Sequence, residues 1–199
     1  MDNPNRLREF IRQMTLLTSQ AGAGEAEIVD KGRELLGDLI RYDDWLPDAF
    51  AQPDAHYYQQ YLLYCDPLER FSVVSFVWGP GQSTPVHDHT VWGLVGVLRG
   101  TERCERFAPA PDGTLNSLGV AMLNAGEVDA VSPTIGDIHA VSNALDDRPS
   151  ISIHAYGADI GAVRRHVFVP ETGEVKDFVS GYSNHVLPNL WGATPGARS

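Results

Sequence analysis

Two cysteines in 199 residues are too few for a disulfide framework, and neither Cys65 nor Cys104 has a partner at zinc-binding spacing. Both read as small core residues with free thiols. Positive charge is also scarce: 15 Lys and Arg stand against 26 Asp and Glu, a net charge of -11. Nucleic acids and anionic membrane surfaces need a basic footprint, so neither is expected as a partner. No apolar run approaches the roughly 18 residues of a membrane-spanning helix. No basic leader precedes an apolar stretch. These absences together predict a cytoplasmic protein with no nucleic-acid or membrane partner, and they leave the oligomeric state open. Repeats and low-complexity tracts are missing too. The length suits one domain, in which about 70% of the unfolded surface becomes buried.

The first 56 residues read as helical. Leu7, Phe10, Ile11, Met14 and Leu17 recur at helical spacing over Asn5 to Thr18. Ile28, Leu35, Leu36, Leu39 and Ile40 do the same over Ala26 to Ile40. From Tyr57 the pattern turns to short strands separated by Gly, Pro and Asp turns. Strands are expected at Tyr57 to Tyr64, Phe71 to Trp78, a histidine-bearing run continued by Leu94 to Leu98, and Thr101 to Phe107. More follow at Thr114 to Leu123, Val128 to Val131, Ile138 to Ser142, Ser150 to Tyr156 and His166 to Val169, with Phe178 last. Many short strands at even spacing predict a mainly β protein, a small barrel over residues 57–180 with the helices packed outside. Residues 181–199 read as a C-terminal tail, mobile after Trp191.

The chemistry lies in Gly81-Gln-Ser-Thr-Pro-Val-His87-Asp-His89-Thr-Val-Trp-Gly93, which runs on to Gly100. His87 and His89 are one residue apart on a β-prone run and so share a face. His139 lies in a similar setting, Gly136-Asp-Ile-His139-Ala-Val-Ser-Asn143. Three neutral imidazoles suit a divalent transition metal, read here as iron. Gly81, His87, His89 and Gly100 stand at the offsets of the first cupin motif, and Gly136, His139 and Asn143 at those of the second. The chain therefore resembles the cupins from about Tyr57 to Asp177. Gly93 occupies the position where that motif has a glutamate ligand. A three-histidine site keeps the metal's full charge and leaves room for an anionic substrate and dioxygen. A thiol that loses its proton on binding is the natural ligand.

Ser152, His154 and Tyr156 alternate along one strand and share one face, so they read as a hydrogen-bonded relay that orients the tyrosine hydroxyl. No acidic third member accompanies the Ser–His pair. With the three histidines and Gly93, this relay makes the chain resemble the bacterial thiol dioxygenases of the cysteine dioxygenase family. That resemblance implies Fe(II) as cofactor, a small thiol and dioxygen as substrates, and a sulfinate as product. Animal members have a cysteine in place of Gly93, crosslinked to the tyrosine matching Tyr156; that thioether cannot form here. They also have a carboxylate-binding arginine where this chain has Tyr58-Gln59-Gln60-Tyr61. The departure is similar to the Gln-type branch, whose preferred substrate is 3-mercaptopropionate, as is the run from Gly181 to Trp191. Arg165, with Arg164 as competitor, is the implied cation for the substrate carboxylate, and Gln60 the amide contact. Trp78 and Trp92 could wall the pocket; His56, His166 and His185 read as structural or exposed. Two other readings stay open: L-cysteine as substrate, and a cupin that binds metal without catalysis.

Overall fold

The computed structural model describes residues 3–191, so the last eight residues, expected to be mobile, lie outside the described residues. Helix α1 spans Pro4–Thr18 and α2 spans Glu25–Ile40; a 3-10 turn follows at Asp48–Phe50. Pro4 opens α1 at a position where its missing N–H is no loss. The buried stripe of α1 is the one read from its periodicity. In α2 the stripe is rotated: Val29 and Gly32 are buried with Leu36, Leu39 and Ile40, while Ile28 and Leu35 are half-buried. Gly32 explains the shift. A Cβ there would come within 2.6 Å of Leu94, so α2 rests directly on the sheet at a residue that apolarity cannot reveal.

Eleven strands follow. They are β1 Gln59–Cys65, β2 Ser72–Trp78, β3 Val86–His87, β4 Gly93–Arg99, β5 Thr101–Pro109 and β6 Leu115–Asn124. Then come β7 Val128–Val131, β8 Ile138–Asn143, β9 Ser150–Tyr156, β10 Arg165–Val169 and β11 Glu174–Phe178. They form two antiparallel sheets, ordered β1-β2-β9-β4-β7 and β11-β10-β3-β8-β5-β6. The protein is mainly β with a cupin architecture and two helices at its N-terminus. Strand β11 was expected only at Phe178 because three of its other residues are charged and all four are exposed; it pairs with β10 across the Thr172–Gly173 turn.

The first sheet is buried on both faces. Ile151, Ile153 and Ala155 of β9 join Val73 and Val77 of β2 under the helices. Tyr156 of β9 and Val74, Phe76 and Trp78 of β2 belong to a second, inner cluster. The alternation of β9 thus sends its aliphatic side chains to the helices and its polar ones inward.

The histidine run is not one strand. It breaks after His87, and Gly93 begins a strand in the other sheet. Thr90 stands at φ 61, a left-handed conformation that a β-branched residue adopts only when held there. Asp137 holds it, accepting the backbone N–H of Thr90 at 2.8 Å and of His89 at 3.0 Å. The C-terminal segment is docked rather than free over residues 180–184. The Ser183 N–H donates to the Gln60 carbonyl, and the Asn184 amide brackets Leu62 from both sides. Among the described residues, no helix is long and apolar enough to cross a membrane.

Candidate metal centre and pocket

His87, His89 and His139 come together, each offering a ring nitrogen within 4.8 Å of the others. The three ring centroids are 4.9 Å apart pairwise. Opposite β3 and β8 positions bring His87 and His139 side by side. The Nδ1 atoms all turn outward. That of His87 meets the Pro85 carbonyl at 3.0 Å, that of His89 the Asp137 carboxylate at 2.9 Å, and that of His139 the Cys104 thiol at 3.5 Å. These contacts aim the Nε2 atoms at one another, and His89 Nε2 is buried without a partner.

Burial pushes His87 down to about 3, helped by the neighbouring His89. Burial and the adjacent imidazoles also take His139 well below the usual histidine range. The rings of His87 and His139 are therefore neutral and available as ligands. Burial works against ionisation of Asp137, yet its hydrogen bonds from His89 and Thr90 hold its carboxyl below the ordinary range. A convergent set of imidazole nitrogens, one of them orphaned, fits a divalent transition metal. Among the described residues no carboxylate belongs to the cluster; Asp137 stands behind His89.

The structure brings Ser152, His154 and Tyr156 together along β9. Ser152 Oγ lies 2.8 Å from His154 Nε2, and His154 Nδ1 lies 2.7 Å from the Tyr156 hydroxyl. Burial keeps His154 neutral and raises the Tyr156 phenol well above its ordinary value. Tyr156 stacks on His89 at 5.4 Å. Gly93 is packed against the same ring: a Cβ at Gly93 would sit 2.9 Å from Tyr156.

A pocket opens beside the cluster, lined by His87, His139, His154, Tyr156, Arg165 and Gln60. Tyr58, Phe76 and Trp78 form a stacked aromatic wall. Trp78 thus walls the pocket, whereas Trp92 packs against Gly157 outside it. Arg165 faces the pocket and is 4% exposed, while Arg164 points to solvent and pairs with Asp177. Arg165 lies over the Phe178 ring and donates to Ser180 at 2.6 Å, but its Nε is buried without a partner. Burial lowers its affinity for its own proton. Gln60 is buried in the pocket and Gln59 is outside it. The Gln60 amide donates to Ser180 and to the Gly181 carbonyl, so it fastens the C-terminal segment that forms this wall. Asp88 points to the far face and holds His166 at 2.7 Å.

Residues 41–168 match the family described as cysteine dioxygenase type I. The chain belongs to the cysteine dioxygenase type I family. The cysteine dioxygenase type 1 of Danio rerio is 26% identical over 152 residues, 74% of this chain and 69% of that protein. Two solved structures are similar in part. One is an uncharacterized conserved protein with a double-stranded β-helix domain from Klebsiella pneumoniae: TM-score 0.46, 18% identity, 60% of this chain and 95% of that one. The other is a protein from Thermus thermophilus: TM-score 0.45, 17% identity, 56% of this chain and 92% of that one.

Sequence reasoning missed two acidic residues in this family member. Asp137 sits inside the second histidine motif, and its position two residues before His139 was the available signal. Glu102 had none. It lies on β5, 0% exposed, facing the Ser152 hydroxyl, while the other ring nitrogen of His154 is taken by Tyr156, so no acid orients the Ser–His pair. It was hidden because it comes from the other sheet, not from the strand carrying the relay.

Proposed function

We propose that the chain is a non-haem Fe(II) thiol dioxygenase whose preferred substrate is 3-mercaptopropionate, converted with dioxygen to 3-sulfinopropionate. Family membership and the three-histidine cluster support thiol oxygenation. The substrate choice rests on Arg165, a buried guanidinium beside the histidines that forms no ion pair with any described carboxylate. Such a group favours an anionic ligand, because a buried unpaired charge is costly. Among the described residues no Asp or Glu lines the pocket, so the ammonium of cysteine would find no acidic partner among them. A thiol acid without an amino group avoids that cost.

Fe(II) held by His87, His89 and His139 would supply the coordination that makes the thiolate and brings dioxygen beside it. Arg165 anchors the carboxylate end. Tyr156, held by His154 and Ser152, donates a hydrogen bond to the carboxylate or to oxygen. Gln60 keeps Ser180 and Arg165 in place from the rim. The wall of Tyr58, Phe76 and Trp78 keeps water from the sulfur. Both oxygen atoms enter the product, R–SH and dioxygen giving R–SO2H, so no external reductant is needed.

Oxygen uptake by the Fe(II)-loaded protein, compared for 3-mercaptopropionate and L-cysteine, tests this. A higher kcat/KM is expected for 3-mercaptopropionate. Equal values or a preference for cysteine would overturn the substrate assignment. No uptake with any small thiol would favour a metal-binding cupin without catalysis.

A further inference from the structure

Behind the relay, away from the pocket, Glu102 is fully buried, and neither carboxyl oxygen has a partner at hydrogen-bond geometry. The polar groups facing it are the hydroxyls of Ser152 and Ser150 and the indole of Trp78. Ser150 Oγ is itself buried and unpartnered. No charged side chain balances it. On β5 the neighbouring Arg103 turns to Glu105, and Cys104 contacts His139. Across the ladders stand Asn143 of β8, whose amide is engaged by the Trp78 and Arg148 carbonyls, and Leu123 of β6. The titratable group that follows Ser152 on β9 is His154.

We propose that Glu102 is a positioning residue that closes the inner end of the relay and fixes its direction, so that the Tyr156 hydroxyl keeps its proton for the pocket. The direction follows from counting donors. A serine hydroxyl has one proton to give and two lone pairs. The Trp78 indole can only donate, and it reaches Ser152 Oγ at 3.3 Å. A neutral Glu102, which faces this hydroxyl, is placed to turn its proton to the second lone pair. With the Glu102 proton turned to Ser152, the serine gives its own proton to His154 Nε2. His154 in turn has its own proton on Nδ1 and gives it to the Tyr156 oxygen, which leaves the phenolic proton facing the pocket. An ionised Glu102 reverses every step: Ser152 donates to the carboxylate, His154 donates from Nε2, and Tyr156 donates to Nδ1. The pocket then meets only an oxygen lone pair.

Burial sets the state, since a carboxylate without a cation is strongly disfavoured there. It raises Glu102 to about 8, against the opposing pull of the two serines and the indole. The acid is therefore neutral at physiological pH and ionises just above it.

The value of a proton at Tyr156 rests on the thiol dioxygenase reading; the direction of the relay does not, and it can be read without turnover. The full chain, labelled with 15N-histidine and loaded with Zn(II) as a diamagnetic stand-in, reports the His154 tautomer by NMR. Its signal is assigned by its loss in His154→Gln. At neutral pH the Nδ1–H form is expected, shifting to Nε2–H as pH rises through about 8. In Glu102→Gln, whose amide still donates, the Nδ1–H form should persist across the same range. An Nε2–H tautomer at neutral pH, or a wild-type tautomer indifferent to pH, would overturn the proposal. If Glu102→Gln fails to fold, the wild-type titration decides by itself. A correct tautomer in a protein that consumes no oxygen would sink the functional reading and leave this one standing.

Discussion

Asp137 accepts three hydrogen bonds, two from consecutive backbone N–H groups and one from the ring of His89. It therefore fixes the tautomer of one candidate ligand and the strained turn that follows it. A carboxylate behind a ligating histidine tunes metal affinity by about 10–100-fold. Asp137→Asn should weaken Fe(II) or Zn(II) binding by about that factor, measured by titration calorimetry, while far-UV circular dichroism stays close to wild type. A variant that binds metal as tightly as wild type would show that the cluster needs no such support. The histidines were legible in the sequence because a cupin motif encodes their spacing locally. Glu102 was not. In Thr101-Glu102-Arg103-Cys104-Glu105 it looks like any charged residue of a solvated strand. Only the closure of one sheet over the other makes its face of β5 an interior one.

The elements were read well where their pattern was intrinsic. The stripe of α1 and the whole of β9 have the expected bounds or faces. They were read less well where a contact decides. The break between β3 and β4 comes from a backbone conformation at Thr90 enforced by Asp137, distant along the chain but adjacent in space. Glycines on β4 show the same dependence. A Cβ at Gly96 would meet the end of Ile40 at 2.9 Å and Leu36 Cγ at 3.0 Å, both on aliphatic chains that can change rotamer. A Cβ at Gly93 would meet the Tyr156 ring at 2.9 Å and Val131 at 3.0 Å. That ring is fully buried and tied to His154, so it has less freedom to move. Overpacking of this kind costs about 1–3 kcal/mol. Gly93→Ala should lose stability in that range by urea denaturation, and Gly96→Ala less. The reverse order would mean that Tyr156 is held loosely.

At the scale of the whole molecule, the helices and the five-stranded sheet share one continuous apolar cluster, from Leu7 and Met14 through Leu36 to Leu94 and Ile153. The helices are thus a lid on the outer face of the sheet whose inner face carries the relay. Removing residues 1–40 should expose Val73, Leu94 and Ile153 together. The expected result is a chain that binds a hydrophobic dye and lacks cooperative thermal unfolding. A truncated chain that melts sharply and binds metal would show that the barrel is an independent unit. The composition did not announce this, since amphipathic helices read alike whether they cover a core or merely adjoin it.

The stitching of residues 180–184 along β1 has a consequence for biosynthesis. Ser180 binds both Arg165 and Gln60, and Ser183 and Asn184 seal the edge of the same strand. Synthesis runs from the N-terminus, so the three histidines leave the ribosome well before the wall of Arg165 and Ser180 is complete. A message cut short before codon 180 would encode all three histidines but not the serine that fastens Arg165 and Gln60.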